Sequence, residues 1–486
     1  MAEGALRGRY GKQAMNETAE AVDPHLHGRR RFIFFICAIA LFMASVDSTI
    51  VATALPKIGS SLHARLNWLG WTITIYSLGQ VVMLPIAGRI SDQIGRKQLF
   101  VTCVLVFTLA SVACGLSTNI YMLVPLRLLQ SMGGGGFLPS ASGIVSDHFG
   151  RDRDRALGLF SSIFPMGSVA GPIFGGLITQ YWNWRGIFFV NLPIGLALAY
   201  LIMRYIPATQ RSASRAFDGL GIALLAATIV SVMLAITDLG ELNSSLASPS
   251  VYLPGLIGIA FGSVFLRHLR RCEYPIISPS LLYGRGFGAL NCINVMFGGA
   301  GFGFGALVPL YAENRYRISE SSAGTVLSAQ AIGMVIVAFA ASMLIRRTGY
   351  RRPMTIGFLF VALSLIMLSI GARGISAYWW LLLFSMLTGL GLGSIAPAAN
   401  NATLQLAPTQ VAEITGLRGM FRQSGSILSI SITTAILARS KNPGIVQSHI
   451  FWVLAIILLF AALLSSQVSD TTSDSTEIVA TRIGDD

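Results

Sequence analysis

Charge is scarce in this 486-residue chain. Asp, Glu, Lys and Arg together make up 12% of the residues, hydrophobic residues make up 53%, and the mean hydropathy is +0.66. Soluble domains are about 25% charged. A chain with so few polar side chains cannot cover a water-facing surface, so we exclude a soluble globular protein and predict a polytopic membrane protein.

Cysteine and lysine are also rare. The five cysteines have no paired spacing, which excludes a disulfide framework, and neither they nor the six histidines show metal-ligand spacing. None of the four lysines is followed by Ser or Thr, so a phosphate-binding loop for ATP is lacking. We therefore expect no metal, no cofactor and no enzymatic activity, and we expect an ion gradient to supply the energy.

The basic residues that are present are distributed along the chain. The net charge is +14, but the Arg and Lys residues lie in short loops between apolar stretches instead of on one face. This distribution is typical of membrane topology and does not indicate a nucleic-acid partner.

Apolar stretches long enough to cross a bilayer recur throughout. A membrane helix needs about 20 mainly apolar residues. We predict fourteen helices, at 32–54, 68–87, 99–116, 120–143, 156–178, 186–206, 219–237, 251–266, 287–311, 322–345, 354–371, 378–400, 416–437 and 448–467. Sixteen Arg and Lys residues lie in the connections on one side against eight on the other. Because basic loops stay in the cytoplasm, both termini are predicted to be cytoplasmic.

Two segments of the sequence are similar to each other. IRRTGYRRP (345–353) follows the tenth predicted helix much as GRISDQIGRK (88–97) follows the second, each with Arg residues around a Gly. This indicates two related halves. We predict a cytoplasmic tail, a six-helix bundle, an inserted helix pair, a second six-helix bundle and a disordered cytoplasmic tail, at 1–31, 32–206, 217–268, 286–468 and 469–486, respectively.

Several motifs resemble those of a known family. GRISDQIGRK is similar to the signature cytoplasmic loop of the major facilitator superfamily, and GSVAGPIFGG (167–176) resembles the helix motif that marks its exporters. VDSTIVATALP (46–56) and RLLQSMGGGG (127–136) are similar to further segments of that superfamily. This superfamily includes the fourteen-helix drug/proton antiporters. Three segments of the present sequence are similar to segments of that subgroup: WRGIFFVNLPIG (184–195), FDGLG (217–221) and FRQSG (421–425).

The resemblance implies an all-α polytopic membrane protein with the major facilitator fold, two six-helix bundles plus two inserted helices. It implies a proton-coupled antiporter of the plasma (inner) membrane that exports hydrophobic or amphipathic small molecules by alternating access. The implied partners are that substrate, protons and membrane lipids, and the implied oligomeric state is a monomer. A major facilitator transporter of lipids or of a specific metabolite is the alternative.

The resemblance assigns a cytoplasmic gate to the signature loop. The gate residues are Gly88, Arg89, Asp92, Gly95, Arg96 and Lys97. In this interpretation Asp92 holds the start of the thirteenth predicted helix, near Arg418, where the helix dipole favours negative charge. The alternative is that these side chains only anchor the loop in the cytoplasm.

The exporter motif lies in the fifth predicted helix. Its residues are Gly167, Gly171, Pro172, Gly175 and Gly176. Three of the glycines recur at every fourth position, so another helix can approach that face closely, and the proline can bend the helix. We expect a packing surface that closes the outer side of the protein. Ordinary helix packing is the alternative.

Ionisable residues inside predicted helices are the candidates for proton coupling, because a charge in the bilayer is costly. Asp47 is the candidate proton carrier and Arg127 its candidate partner. A permanent structural ion pair is the alternative. Glu313, near the outer end of the ninth predicted helix, is open to two interpretations: a second protonation site or a solvated side chain.

Polar residues on otherwise apolar helices are the candidates for a substrate cavity. They are Gln80, Asn291, Asn294, Gln330, Asn400 and Arg422. Hydrogen bonding between helices is an equally open role for such residues. Arg422 is predicted to serve either the cavity or the gate.

Overall fold

The computed structural model describes residues 24–64, 66–208, 218–239, 247–284, 286–372, 376–408 and 410–468. Within these ranges the regular structure is helical and no residue lies in a β-strand, as predicted. The C-terminal tail predicted at 469–486, and all but the last eight residues of the N-terminal tail predicted at 1–31, lie outside the described residues.

Residues 24–205, called the N-terminal half, contain eight α-helices. Gly136 separates α4 from α5, and a 3₁₀ turn at Gly150–Asp152 precedes α6. The helices are α1 (Pro24–Ser61), α2 (Leu66–Ile94), α3 (Arg96–Gly115), α4 (Ile120–Gly135), α5 (Phe137–Phe149), α6 (Arg153–Tyr181), α7 (Gly186–Phe189) and α8 (Asn191–Tyr205).

Residues 219–283 are called the central segment, and residues 286–465 are called the C-terminal half. Together they contain the remaining helices of the described structure. A π-helical turn at Gly298–Phe302 joins α12 to α13. The helices are α9 (Gly219–Leu239), α10 (Pro249–Arg271), α11 (Pro279–Tyr283), α12 (Phe287–Phe297), α13 (Gly303–Tyr316), α14 (Glu320–Thr348), α15 (Arg351–Ile370), α16 (Ala377–Leu406), α17 (Val411–Ala438) and α18 (Pro443–Ser465).

Eleven helical stretches in the described part of the chain are long and apolar enough to cross a bilayer, so the protein is a multi-pass membrane protein. The regions 120–149, 287–316 and 411–438 are not among the eleven. The first two are each divided into shorter helices, and α17 carries several charged residues. The fourteen-helix count therefore stays a prediction.

Helix ends follow local rules. Proline stands in the first turn of α10, α11 and α18, where its missing N–H costs nothing. Asn119 caps α4 by accepting a hydrogen bond from the Met122 amide at 2.8 Å. Gly95 lies between α2 and α3 with a φ of 101°, a conformation that side-chain-bearing residues rarely adopt. The signature loop is therefore a tight turn that depends on this glycine.

The same helix contacts occur in both halves. In the N-terminal half α1 packs on α6, α2 on α4, α3 on α4, and α3 on α8. In the C-terminal half α12 packs on α17, α14 on α16, α15 on α16, and α15 on α18. This repetition agrees with the internal similarity of the sequence, whereas the domain boundaries remain predictions.

The halves meet along two matching pairs of helices. α2 packs against α17, and α14 packs against α6. The central helices α9 and α10 pack on each other, and α9 also contacts α2 and α17. The inserted pair therefore lies beside one of the two contacts between the halves.

Candidate functional site

A buried ion pair lies inside the N-terminal half. Asp47 from α1 and Arg127 from α4 are each 1% exposed, and Arg127 Nη1 lies 2.8 Å from Asp47 Oδ2. A buried charge is costly unless it is paired, so each residue stabilises the other. The structure thus brings together two of the three residues predicted for proton coupling.

Gln130 and Asn191 complete the surroundings of the carboxylate. Their side-chain amides donate to Asp47 Oδ1 at 2.8 Å and 3.1 Å, respectively. Arg127 also donates to Gln130 Oε1 at 2.8 Å, and its guanidinium carbon lies 4.1 Å from the centre of the Tyr76 ring. Every one of these contacts to Asp47 comes from a donor, so the pocket suits an ionised carboxylate.

The sequence analysis assigned no role to Gln130 or Asn191. Gln130 stands three residues after Arg127 in RLLQSMGGGG, and Asn191 lies in WRGIFFVNLPIG. Both residues therefore lie inside segments that resemble segments of the major facilitator superfamily. Their position around one carboxylate could not be predicted, because α4 and α8 reach Asp47 from 83 and 144 residues away.

A cavity of about 80 Å³ lies between the two halves. Three of the predicted cavity residues line it, namely Gln80, Asn400 and Arg422. Ala44 also belongs to its wall, three residues before Asp47 in α1. Asp47 itself is not one of the described residues that line the cavity. The ion pair therefore lies about one helical turn away from the cavity.

The other predicted cavity residues lie elsewhere. Asn291 donates to the Leu281 carbonyl oxygen at 2.9 Å, and Asn294 donates to the Leu290 carbonyl oxygen at 2.7 Å. Gln330 is 7% exposed. None of the three is among the described residues that line the cavity. The Asn291 contact joins α12 to α11 and corresponds to the alternative role, hydrogen bonding between helices, whereas the Asn294 contact stays within α12.

Glu313 lies in the last turn of α13, and its side chain is exposed. An exposed carboxylate near a helix end keeps its hydration, whereas an enclosed one must be neutralised or paired. The placement favours the solvated side chain over the second protonation site.

The signature loop lies where α2 meets α17. A Cβ atom at Gly88 would lie 2.6 Å from the Ala412 carbonyl oxygen, so this close approach requires glycine. Arg89 Nη1 lies 3.5 Å from Glu413 Oε2, and Glu413 is 2% exposed. The acid stands in the first turn of α17, where the helix dipole favours negative charge. Arg89 therefore forms an ion pair that joins the halves.

The other charged residues of the loop have different surroundings. Arg96 forms an ion pair with Asp147 of α5, within its own half. Lys97 Nζ donates to a carbonyl oxygen of α8 at 2.7 Å. The Asp92 side chain lies outside the described residues, so its contact near Arg418 stays a prediction. The acid that pairs with Arg89, Glu413, had no assigned role in the sequence analysis.

A second contact between the halves is centred on Asp154, at the start of α6. Tyr350 Oη and Gln405 Nε2 donate to Asp154 Oδ2 at 3.1 Å and 3.4 Å. Asn401 Nδ2 donates to the Asp154 carbonyl oxygen at 2.8 Å. Burial and then the nearby carboxylate raise the pKa of the Tyr350 hydroxyl, so it remains a donor. IRRTGYRRP thus joins the halves as GRISDQIGRK does.

The exporter motif packs within the N-terminal half. A Cβ atom at Gly171 would lie 1.9 Å from Thr49 Oγ1 and 3.0 Å from the Val46 carbonyl oxygen, both in α1. Gly167 and Gly175 face α1 in the same way, next to Ser45 and Thr53. Pro172 and Gly176 are exposed on other faces of α6, and a Cβ at Gly176 would meet nothing within 4 Å.

Three potential metal ligands come together beside the central helices. The ligand atoms of Asp218, His268 and Cys272 lie within 4.8 Å of one another. Asp218 is already bonded, since it accepts from Gly221 N at 2.8 Å and from Ile276 N at 2.9 Å, and His268 Nε2 lies 2.7 Å from it. These contacts account for the cluster as a helix cap that ties α9 to the end of α10.

The profile of the Major Facilitator Superfamily matches residues 37–290 and 290–476. The chain belongs to this superfamily. It is a membrane transporter and not an enzyme, as the sequence predicted.

Relatives and a solved structure agree with this assignment. The transporter is 30% identical to the multidrug transporter protein MdtP of Bacillus subtilis over 412 residues, which are 83% of this chain and 75% of that protein. It is 30% identical to the tetracenomycin C resistance and export protein of Streptomyces glaucescens, over 85% of this chain and 76% of that one. The crystal structure of the human organic anion transporter MFSD10 aligns with a TM-score of 0.65 at 14% identity, over 90% of this chain and 99% of that chain, which supports the fold alone.

Proposed function

We propose that this transporter is a proton-coupled antiporter that exports hydrophobic or amphipathic small molecules by alternating access. We place it in the plasma (inner) membrane as a monomer with fourteen membrane helices and both termini in the cytoplasm. The names of the two sequence relatives, a multidrug transporter and a resistance and export protein, support export.

The observation that carries the proposal is the buried pair of Asp47 and Arg127. A proton on Asp47 removes the charge that stabilises Arg127, and a lone buried guanidinium is costly. The protonated state must therefore rearrange until Arg127 finds water or another acceptor. Release of the proton restores the pair. Proton binding and conformation are linked in this way.

A chain of contacts joins the ion pair to the cavity. Ser45, two residues before Asp47, donates to the Phe164 carbonyl oxygen at 2.6 Å. Phe164 lines the cavity, and its ring centre lies 5.9 Å from the guanidinium carbon of Arg422. A shift of α1 that accompanies protonation would thus move a wall residue of the cavity.

The two contacts between the halves act as the gate in this proposal. Arg89 with Glu413, and Asp154 with Tyr350, hold α2 to α17 and α6 to the start of α15. Consecutive membrane helices alternate in direction, so both contacts lie at one end of the protein, which we take as the cytoplasmic end. Both must separate before the cavity can open there.

The experiment uses purified full-length protein in phospholipid vesicles with an imposed pH difference. The probes are dansylglycine, dansylamide and dansylcadaverine, which share a fluorescent group and are anionic, neutral and cationic at pH 7. We expect at least one probe to accumulate against its gradient only when the pH difference is present. Accumulation that is indifferent to the pH difference, or that Asp47→Asn leaves unchanged, would contradict the proposal.

A further inference from the structure

Six charged side chains are buried in the described part of the transporter, three acids and three arginines. They are Asp47, Asp154, Glu413, Arg89, Arg127 and Arg418. Two ion pairs account for four of them, and the fifth, Asp154, accepts hydrogen bonds from Tyr350 and Gln405. Arg418 is the member of the set for which no buried acid is left.

Arg418 faces the cavity from α17. It is 6% exposed, and within the described structure its buried Nε atom has no hydrogen-bond acceptor. Glu413 precedes it by five residues, which places the two side chains about 140° apart around the helix. Glu413 points instead to Arg89 of α2. A buried N–H without an acceptor is costly, and a ligand that brings an acceptor removes that cost.

Arg422 lies one helical turn after Arg418 and lines the same cavity. Gln80, Asn400 and Gln423 add polar groups to the wall, and among its described residues there is no Asp or Glu. Most of the remaining wall is apolar and includes Leu41, Leu84, Leu138, Leu157, Phe160 and Met334. The cavity thus combines two guanidinium groups with a hydrophobic surface.

We propose that this cavity binds the charged group of an amphipathic organic anion, a carboxylate or a sulfonate, between Arg418 and Arg422. The inference rests on the proposed function, because it names the charge of the exported molecule. Guanidinium groups bind planar oxyanions through paired hydrogen bonds, and such bonds are stronger away from water. About 80 Å³ admits the charged group, whereas separation of the halves admits the apolar body.

The first test measures binding with purified full-length protein in detergent. We expect dansylglycine to bind about tenfold more tightly than dansylamide, and dansylcadaverine to bind least, because only dansylglycine supplies a negatively charged acceptor. Arg418→Gln and Arg422→Gln should each weaken dansylglycine binding about tenfold and leave dansylamide within about twofold. Arg418→Lys should retain part of the preference for the anion.

The matched control is Arg439→Gln, which removes an arginine from the far end of the same helix, where Arg439 donates to the Ala435 carbonyl oxygen at 2.7 Å. It should leave all three affinities unchanged. Equal binding of dansylglycine and dansylamide to the wild type would overturn the proposal. An anion preference that survives both glutamine variants would also overturn it.

A transport arm separates this proposal from the proposed function. If only dansylamide or dansylcadaverine is exported against its gradient under an imposed pH difference, the transporter is a proton-driven exporter but the anion site is refuted. Competition by phosphatidylglycerol at the same affinity as dansylglycine would assign the two arginines to a lipid headgroup and would equally refute it. Export of dansylglycine that both glutamine variants abolish is the expected result.

Discussion

Arg127 and Arg418 are buried arginines in different halves of the transporter, and they differ in what surrounds them. Arg127 in the N-terminal half is paired with Asp47 and bonded to Gln130, away from the cavity. Arg418 in the C-terminal half faces the cavity, and its Nε atom has no acceptor among the residues that the structure describes. The first arrangement is complete within the protein, whereas in our proposal a ligand completes the second. Under the two proposals, the proton binds in the N-terminal half and the charged group of the substrate binds to arginines of the C-terminal half.

The different surroundings of Arg127 and Arg418 should affect the stability of the protein in different ways. Removing one member of a complete buried pair leaves an uncompensated charge, whereas removing a charge that has no partner takes away a cost. The two arginines should therefore respond to neutralisation with opposite signs of stability change.

The largest expected effect comes from Asp47→Asn. Because Arg127 then loses its counterion, we expect the free energy of unfolding to fall by about 3–5 kcal/mol and pH-driven transport to be lost. Thermal unfolding in detergent and transport in vesicles measure the two effects. The double variant Asp47→Asn/Arg127→Gln should recover stability but not transport. An equal loss of stability from Arg418→Gln would remove the contrast between the halves.

Gly171 in the N-terminal half and Gly298 in the C-terminal half each lie against a neighbouring helix so closely that a side chain would not fit. Gly171→Ala places a methyl group against α1, at an expected cost of about 1–3 kcal/mol, because α1 must move. Gly298→Ala acts in the other half, where the Cβ would lie 1.8 Å from the Arg422 carbonyl oxygen. We expect the first to impair proton coupling and the second to weaken dansylglycine binding.

Gly176→Ala is the control for both glycine variants. Its Cβ would meet nothing within 4 Å, and alanine favours a helix over glycine, so neither stability nor transport should fall. If Gly171→Ala behaves like this control, close packing of α6 on α1 is not required.

A smaller effect is expected from Arg89→Gln. It removes the ion pair to Glu413 that joins the halves, so conformations open at that end should become more populated. The measurement is the rate of thiol labelling of Ser142→Cys, a cavity position, after replacement of Cys272 and Cys292 by Ala. Arg96→Gln is the matched control, since Arg96 pairs with Asp147 inside one half. Equal rates in the two variants would show that the pair does not hold the gate.

The smallest effect concerns the central helices, which belong to neither half. Burial acts to raise the pKa of Asp218, but hydrogen bonds from His268, Gly221 N and Ile276 N outweigh it and hold that pKa below its usual value. A depressed carboxyl pKa stabilises the protein above the ordinary value of about 3.9, and this stabilisation is lost as the pH falls through the lowered value.

Asparagine can still cap the helix, so Asp218→Asn should cost about 1 kcal/mol at pH 7 because the hydrogen bonds to this side chain lose their charged acceptor. The difference from the wild type should shrink when unfolding is measured below pH of about 4. Glu273→Gln, an exposed neighbour in the sequence, should show neither effect. A difference that is independent of pH would mean that the ionised carboxylate contributes nothing.

Much of the fold could be predicted from the sequence. Each predicted helix lies mainly within helical structure, because a bilayer requires long apolar segments whose backbone is bonded internally. The predicted stretches 120–143 and 287–311 are interrupted, by Gly136 and by the π turn at Gly298–Phe302. Hydropathy does not detect such interruptions, since glycine is compatible with either arrangement.

The candidate site could be predicted only in part. Asp47, Arg127 and Arg422 were noticed because an ionisable residue inside an apolar segment is unusual. Glu413, Asp154 and Gln405 were not, because they stand near predicted helix ends, where polar residues are ordinary. Glu413 pairs with Arg89, and Asp154 accepts from Tyr350 and Gln405, in each case across the two halves, so no local pattern indicates the pairing.

The sequence by itself determined that this is a helical membrane protein, where along the chain the apolar helical stretches lie, and which charges they enclose. These properties depend on neighbours within one segment, on which hydrophobicity, proline and glycine act directly. Only the tertiary structure decided that Asp47 is paired with Arg127 and that, among the residues it describes, the buried Nε of Arg418 has no acceptor. Pairing over a few ångströms depends on how helices distant in sequence are placed, and that placement comes from the packing of the whole bundle.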